Sequence, residues 1–133
     1  MNRRKAREYA FVLLFEYRFQ PDEIETILQD FIEEFNPGEQ GDYIQKVVRG
    51  TVSELEKIDN TIQSVSTDWK IERISCVSLA VLRLAVYEIM FCQDIPSVVA
   101  VNEAVNLAKK YDGDEAAPFV NGILDKIRGM QVE

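Results

Sequence analysis

Four cations precede the first acid of this chain: Arg3, Arg4, Lys5 and Arg7, inside the stretch "NRRKAREYAFVLLFEY". They carry +4 on a chain of formal net charge −8, which leaves −12 for the remainder. A guanidinium is a planar fork that pairs with two phosphate oxygens at once and stacks on flat rings. An arginine-rich tip is therefore equipped to track a polyanion backbone, and the bland alternative is a solvated helix end. Further along, Lys109 and Lys110 precede Tyr111, and Phe119 follows the next turn. Cations beside aromatic rings suit single-stranded RNA, whose splayed bases stack on such rings. Spacing alone does not say whether that turn lies near the chain start.

Other chemistries find no residues. There is no histidine, so Ser-His-Asp triads, Cys-His dyads and His-ligated zinc are excluded. No Gly-rich phosphate loop and no Cys-x-x-Cys pair occur, and neither a cofactor, a metal nor an enzymatic activity is expected. "DGDEAAPFVNG" places Asp112 and Asp114 as the first and third ligands of a calcium loop would stand. Ala117 and Ile123 then occupy the positions that need Gly and Glu, so a helix-to-helix turn is the better reading. Asn121-Gly122 would be a hairpin turn between strands, but no strands flank it, which leaves Asn121 free for hydrogen bonding or tied to nearby backbone. Arg83 sits among Leu82, Leu84 and Val86 and must be paired if buried. Glu103 is the natural partner in a structural ion pair, with Glu88 as the alternative.

These groups must be positioned by helices. Ala6, Tyr9, Ala10, Val12, Leu13, Phe15, Tyr17 and Phe19 recur at helical period and predict a helix from about Asn2, its N-cap, to Phe19. The cations then sit in the first turns, where the helix dipole disfavours them by a few tenths of a kcal/mol each. After Pro21-Asp22, residues Ile24, Ile27, Leu28, Phe31 and Phe35 form a second amphipathic stripe, closed by the Asn36-Pro37-Gly38 turn. Tyr43, Val47, Thr51, Leu55, Ile58, Ile62 and Val65 predict one long helix from about Gln40 to Ser66, with a bend at Asp59-Asn60. "SCVSLAVLRLAVYEIMF", Ser75 to Phe91, is apolar all round and reads as the central buried helix, capped by Ser75. Ser97 to Tyr111 follows, with Val98, Val101, Val105 and Ala108 on its buried side, and Gly113 ends it. The last helix starts near Asp114 or Ala116 and runs to Arg128, with Pro118 in its first turn.

The fold class is therefore all-α: a compact bundle of six to seven helices in a single domain over residues 1–133. Cys76 and Cys92 on one helix are roughly 24 Å apart along its axis, too far for a disulfide. Two buried thiols in a reducing cytosol follow. The apolar run Ala10–Phe15 is shorter than a secretory core, and no segment approaches the ~20 apolar residues of a membrane span. A cytoplasmic protein with no membrane contact is expected.

"RRKAREYAFVLLF", "AVLRLAVYEI" and above all "IPSVVAVNEAVNLAKKY…FVNGILDKI" resemble the NusB family of bacterial transcription antitermination factors. The resemblance spans essentially the whole chain. It implies an all-α bundle that pairs with NusE, a small-subunit ribosomal protein. The pair would bind boxA RNA and help the RNA polymerase elongation complex read through terminators and make ribosomal RNA. Carried over by motif, Arg3, Arg4, Lys5 and Arg7 match the RNA-contacting start. The turn around Lys109, Lys110, Tyr111, Glu115, Phe119 and Asn121 matches a second RNA-facing region. The NusE face would draw on Phe15, Tyr17, Ser75, Ser78, Leu79 and Leu82. The same fold precedes a catalytic domain in some RNA cytosine methyltransferases; the end at Glu133 favours a standalone factor. Exposed apolar patches make a homodimer possible in the partner's absence. The rival reading is an acidic helical adaptor that binds a basic protein without touching RNA.

Overall fold

The protein is described by a computed structural model covering residues 1–131. Among the described residues seven α-helices follow one another: α1 (Arg3–Phe19), α2 (Ile24–Phe35), α3 (Gly41–Ser53), α4 (Leu55–Val65), α5 (Cys76–Phe91), α6 (Ser97–Asp112) and α7 (Ala116–Met130). Single 3-10 turns at Gly38–Gln40 and Ile71–Arg73 lead into α3 and α5. The described residues contain no strand, and the fold is all-α.

The helix ends follow from local chemistry. The Asn2 side chain accepts the Lys5 amide at 2.8 Å, and Ser75 Oγ accepts that of Ser78 at 3.0 Å, so α1 and α5 each begin on a capped donor. Helix α2 stops at Asn36, held in the left-handed region at φ 44° with its N–H on the Ile32 carbonyl. Asn is one of the few non-glycine residues that visit this region readily. Gly113 at φ 99° ends α6. Pro118 falls in the first turn of α7, where its missing N–H has no intrahelical partner to lose.

Helix α5 is the axle. From Ser78 to Glu88 every residue but Arg83 is buried. The helix touches α1, α3, α4, α6 and α7, while α6 and α7 pack on each other as a helical hairpin. An all-round apolar helix has no other stable place than the centre.

The long helix expected over 40–66 is broken at Glu54 (φ −104°, ψ 17°), not bent at Asp59-Asn60, which lies inside α4. Thr51 Oγ1 bonds the Val47 carbonyl at 2.6 Å and Ser53 Oγ that of Gly50 at 3.1 Å. Such back-bonding competes with the helical ladder just before the break. The break turns α4 towards α7, leaving α3 on α1. Val98 is exposed, not on the buried side. The buried stripe of α6 is Ala100, Val101, Ala104 and Ala108, and Val98 lies roughly 160° around the helix from Ala100.

Gly50 lets α3 pass close to α5, where a Cβ would run into the buried Tyr87 ring. Gly50→Ala is expected to lower stability by about 1–2 kcal/mol. An overpacking penalty of about 1–3 kcal/mol outweighs the ~1 kcal/mol helix-propensity gain. Urea unfolding measures the loss, and Gly50→Ala combined with Tyr87→Leu should recover part of it.

Candidate nucleic-acid interface

Arg3 and Arg7, four residues apart, share one face of α1, so position along the helix and not rotation separates the four N-terminal cations. Arg3, Arg4 and Lys5 are exposed, whereas Arg7 is buried at 4% exposure. Arg7 Nε and Nη2 each donate to the Glu88 carboxylate at 3.0 Å, and Nη1 reaches Glu103 Oε1 at 3.3 Å. Tyr43 donates its hydroxyl to Glu88 Oε2 at 2.9 Å. Burial opposes the Arg7 charge, but the hydrogen bonds and charge of Glu88 more than offset it and raise the Arg7 pKa. Burial beside the Glu88 carboxylate likewise drives the Tyr43 phenol well above its usual range. Arg7 is thus a structural cation with its donors committed, and the expectation that it contacts phosphate is corrected.

The same network corrects the pairing expected for Arg83. That guanidinium takes Asp59 across α4 and α5, with Nε–Oδ1 at 2.9 Å and Nη2–Oδ2 at 2.8 Å. Glu103 instead meets Arg4 and Arg7. Glu88, the alternative partner, lies roughly 140° from Arg83 around α5 and faces α1.

Arg3 places its guanidinium 4.0 Å from the Tyr43 ring centroid and donates to Gln40 at 2.8 Å. Arg4 is 79% exposed and only grazes Glu103 at 3.3 Å. Lys5 meets Glu8 at 2.9 Å. Glu8 then joins the two basic segments. Its other oxygen accepts from Lys110 Nζ at 2.6 Å and from the Tyr111 hydroxyl at 2.5 Å. Hydrogen bonds from Lys110, Tyr111 and Lys5 hold the Glu8 carboxyl down at about 2. The Tyr111 ring also packs on Phe11, with centroids 5.0 Å apart. The structure therefore brings Lys110 and Tyr111 beside Arg4 and Lys5, a proximity that spacing left open.

On the other side of the α6–α7 turn, Asp112 Oδ2 accepts from Ser75 Oγ at 2.5 Å and Ser78 Oγ at 2.6 Å. Beyond it lies a cleft of about 350 Å3 lined by Trp69, Arg73, Glu115 and Phe119. Trp69 is half-exposed and meets Phe119 edge-on at 6.5 Å. Sequence reasoning passed over Trp69, whose signal was a lone indole between the Ser66-Thr67-Asp68 turn and Lys70. It also passed over Glu8, an acid among cations. Lys109 is exposed. Asn121 is exposed on α7 and leans to Asp125 at 3.4 Å, so it joins neither cluster.

The expected NusE-facing residues divide as well. Phe15 and Tyr17 are half-buried and Ser75 is exposed. Ser78 and Leu79 are 2% exposed and Leu82 is 0%, so they are core residues and cannot meet a partner in this conformation. The all-apolar character of α5 encloses them. Cys92 is buried but Cys76 is only partly so, and both are free thiols.

Comparison with known proteins gives a consistent result. The NusB family model matches residues 4–128. A transcription antitermination protein NusB of Acetivibrio thermocellus is 45% identical over 96% of this chain and 88% of its own length. That of Clostridium novyi is 48% identical over 93% and 96%. Among solved structures, T. maritima NusB superposes with a TM-score of 0.90 at 37% identity, covering 97% of this chain and 92% of that one. A complex of antitermination factors NusB and NusE with double-stranded RNA matches with a TM-score of 0.86 at 29% identity, over 98% and 99%.

Two outcomes test the network. Arg7→Ala strands Glu88 in the core and is expected to lose about 3–5 kcal/mol in urea unfolding. Glu8 has a depressed pKa, so its stabilising tie is complete above about 4.5 and is lost as pH falls towards about 2. Glu8→Gln should therefore flatten the fall of stability across that window relative to the unaltered protein.

Proposed function

The chain belongs to the NusB family, and from that premise we propose that it is an RNA-binding transcription antitermination factor. It binds boxA-type RNA together with NusE and acts on the RNA polymerase elongation complex, in the cytoplasm, by binding and without catalytic turnover. The reading rests on one arrangement: Arg3, Arg4 and Lys5 stand exposed on the Asn2-capped start of α1, beside Lys110 and Tyr111. Arg4 and Lys5 keep 79% and 52% of their side chains in solvent while paired, so a phosphate can reach these cations without displacing Glu103 or Glu8. Tyr111 and the Trp69–Phe119 pair offer rings for unstacked bases. A body carrying −11 outside Arg3, Arg4 and Lys5 (−8 − 3) repels RNA elsewhere and suits a basic ribosomal protein. No helix of the described residues is long and apolar enough to cross a membrane.

Replacing Arg3, Arg4 and Lys5 together by Ala, with Arg7 left intact to preserve the core, should flatten the plot of log affinity against log salt. The expected change is about two units, from ~0.7 per single-strand phosphate released. Filter binding on a boxA-type strand, with and without NusE, measures it. An unchanged slope removes the assignment, and binding of NusE without any RNA retention favours the adaptor reading.

A further inference from the structure

A cleft of about 230 Å3 lies between the first turns of α1 and one face of α6, bordered by the phosphate-facing cations Arg4 and Lys110. Glu103, Asn106, Leu107 and Lys110 line it at i, i+3, i+4 and i+7, one stripe of α6, with Arg4 and Glu8 opposite. The cleft is smaller than the 300–1,000 Å3 or so of pockets for drug-sized ligands, and it suits a single flat ring system. Its chemistry is wrong for a phosphate, because Glu8 and Glu103 both present carboxylates. Glu8 stays anionic down to about pH 2.

What the walls lack is a hydrogen-bond donor to receive. Arg4 and Arg7 both engage Oε1 of Glu103. Among the described residues, no hydrogen bond occupies Oε2 of Glu103 or the amide of Asn106. Glu103 keeps 13% of its side chain exposed, and its unused carboxylate oxygen opens to the cleft as a charged acceptor. Leu107 is half-buried beside it. The planar guanidinium of Arg4, 79% exposed, is free to lie over a ring.

We propose that this cleft reads one unpaired guanine of the bound RNA. Adjacent N1–H and N2–H2 donors of guanine meet Glu103 Oε2 and the Asn106 carbonyl, and O6 accepts from the Asn106 NH2 or from Lys110. Cytosine and adenine offer one amino group without the neighbouring N–H. Uracil offers one imide N–H without an amino group. The assignment rests on the RNA-binding reading above, and gives the surface what a row of cations lacks. Phosphate contacts position the strand, and base-edge contacts specify it.

The test uses the full chain and a boxA-type single strand in which each guanosine is replaced in turn by inosine, which lacks the 2-amino group. At one position the unaltered protein should lose about five- to a hundredfold in affinity, the range of one base-edge contact. Asn106→Ala should erase most of that penalty while leaving the salt slope unchanged, because Asn106 is neutral. Asn106→Trp, which fills the cleft from an exposed position, should do the same. Equal affinities for all inosine strands overturn the proposal, as does a penalty that survives both variants. So does a uniform loss with a changed slope, which would make Asn106 a backbone contact. Failure to bind any of the strands defeats the RNA reading itself, whereas binding without the inosine penalty defeats only the guanine cleft.

Discussion

The buried contact of Arg7 with Glu88 is the constraint on which the arrangement depends. It ties α1 to α5, while Tyr43 of α3 donates to the same carboxylate and Glu103 of α6 accepts from the same guanidinium. Four helices thus meet at one guanidinium and one carboxylate. Taking both charges out of water is expensive, and well-packed apolar residues often stabilise as much. What such a pair adds here is orientation. A buried guanidinium has few acceptable positions, so α1 cannot rotate without stranding charge in the core. That orientation turns Ala6, Ala10 and Leu14 inward, while Arg3, Arg4 and Lys5, in the first turn of α1, stay exposed at the helix end.

Two acids then lock the turn between α6 and α7 from opposite sides. Glu8 draws Lys110 and Tyr111 onto α1. Asp112 draws the end of α6 onto the start of α5 through two serine hydroxyls. Asp112 stands at the C-terminal end of its own helix, where the dipole disfavours it, but faces the N-terminal end of α5, where the dipole favours it. The ring of Tyr111 is consequently set beside the arginine tip, and the Trp69–Phe119 cleft lies beyond Asp112 at the same turn. Electrostatic ties between residues about a hundred positions apart are a durable way to hold an otherwise repulsive set of cations together. Arg4, Lys5 and Lys110 are partly neutralised before any polyanion arrives.

Much of the fold was legible from local signals. The Asn2 and Ser75 caps, the glycine end at Gly113, Pro118 in a first turn and the all-round apolar α5 each follow from physics acting within a few residues. The misses share a cause. Periodicity could not register the one-residue break at Glu54, because the apolar spacing continues through it and α4 packs on α7 only once the chain has turned. Ser78, Leu79 and Leu82 looked eligible as a partner face because nothing in a uniformly apolar helix says which side is covered. Arg7 and Arg3 are the same residue type four positions apart; one is core and the other surface.

The sequence by itself determined the all-α class, the central helix, the cationic tip on an acidic body and, by resemblance, the family. These depend on composition and on periods of three to four residues, which a linear chain displays openly. Only the tertiary structure decided which cations are free and which are buried, that Arg83 belongs to Asp59, and that Glu8 brings Lys110 and Tyr111 to the arginines. Those facts depend on which helix faces which, and that is settled by burying one core, a global condition that no local window contains.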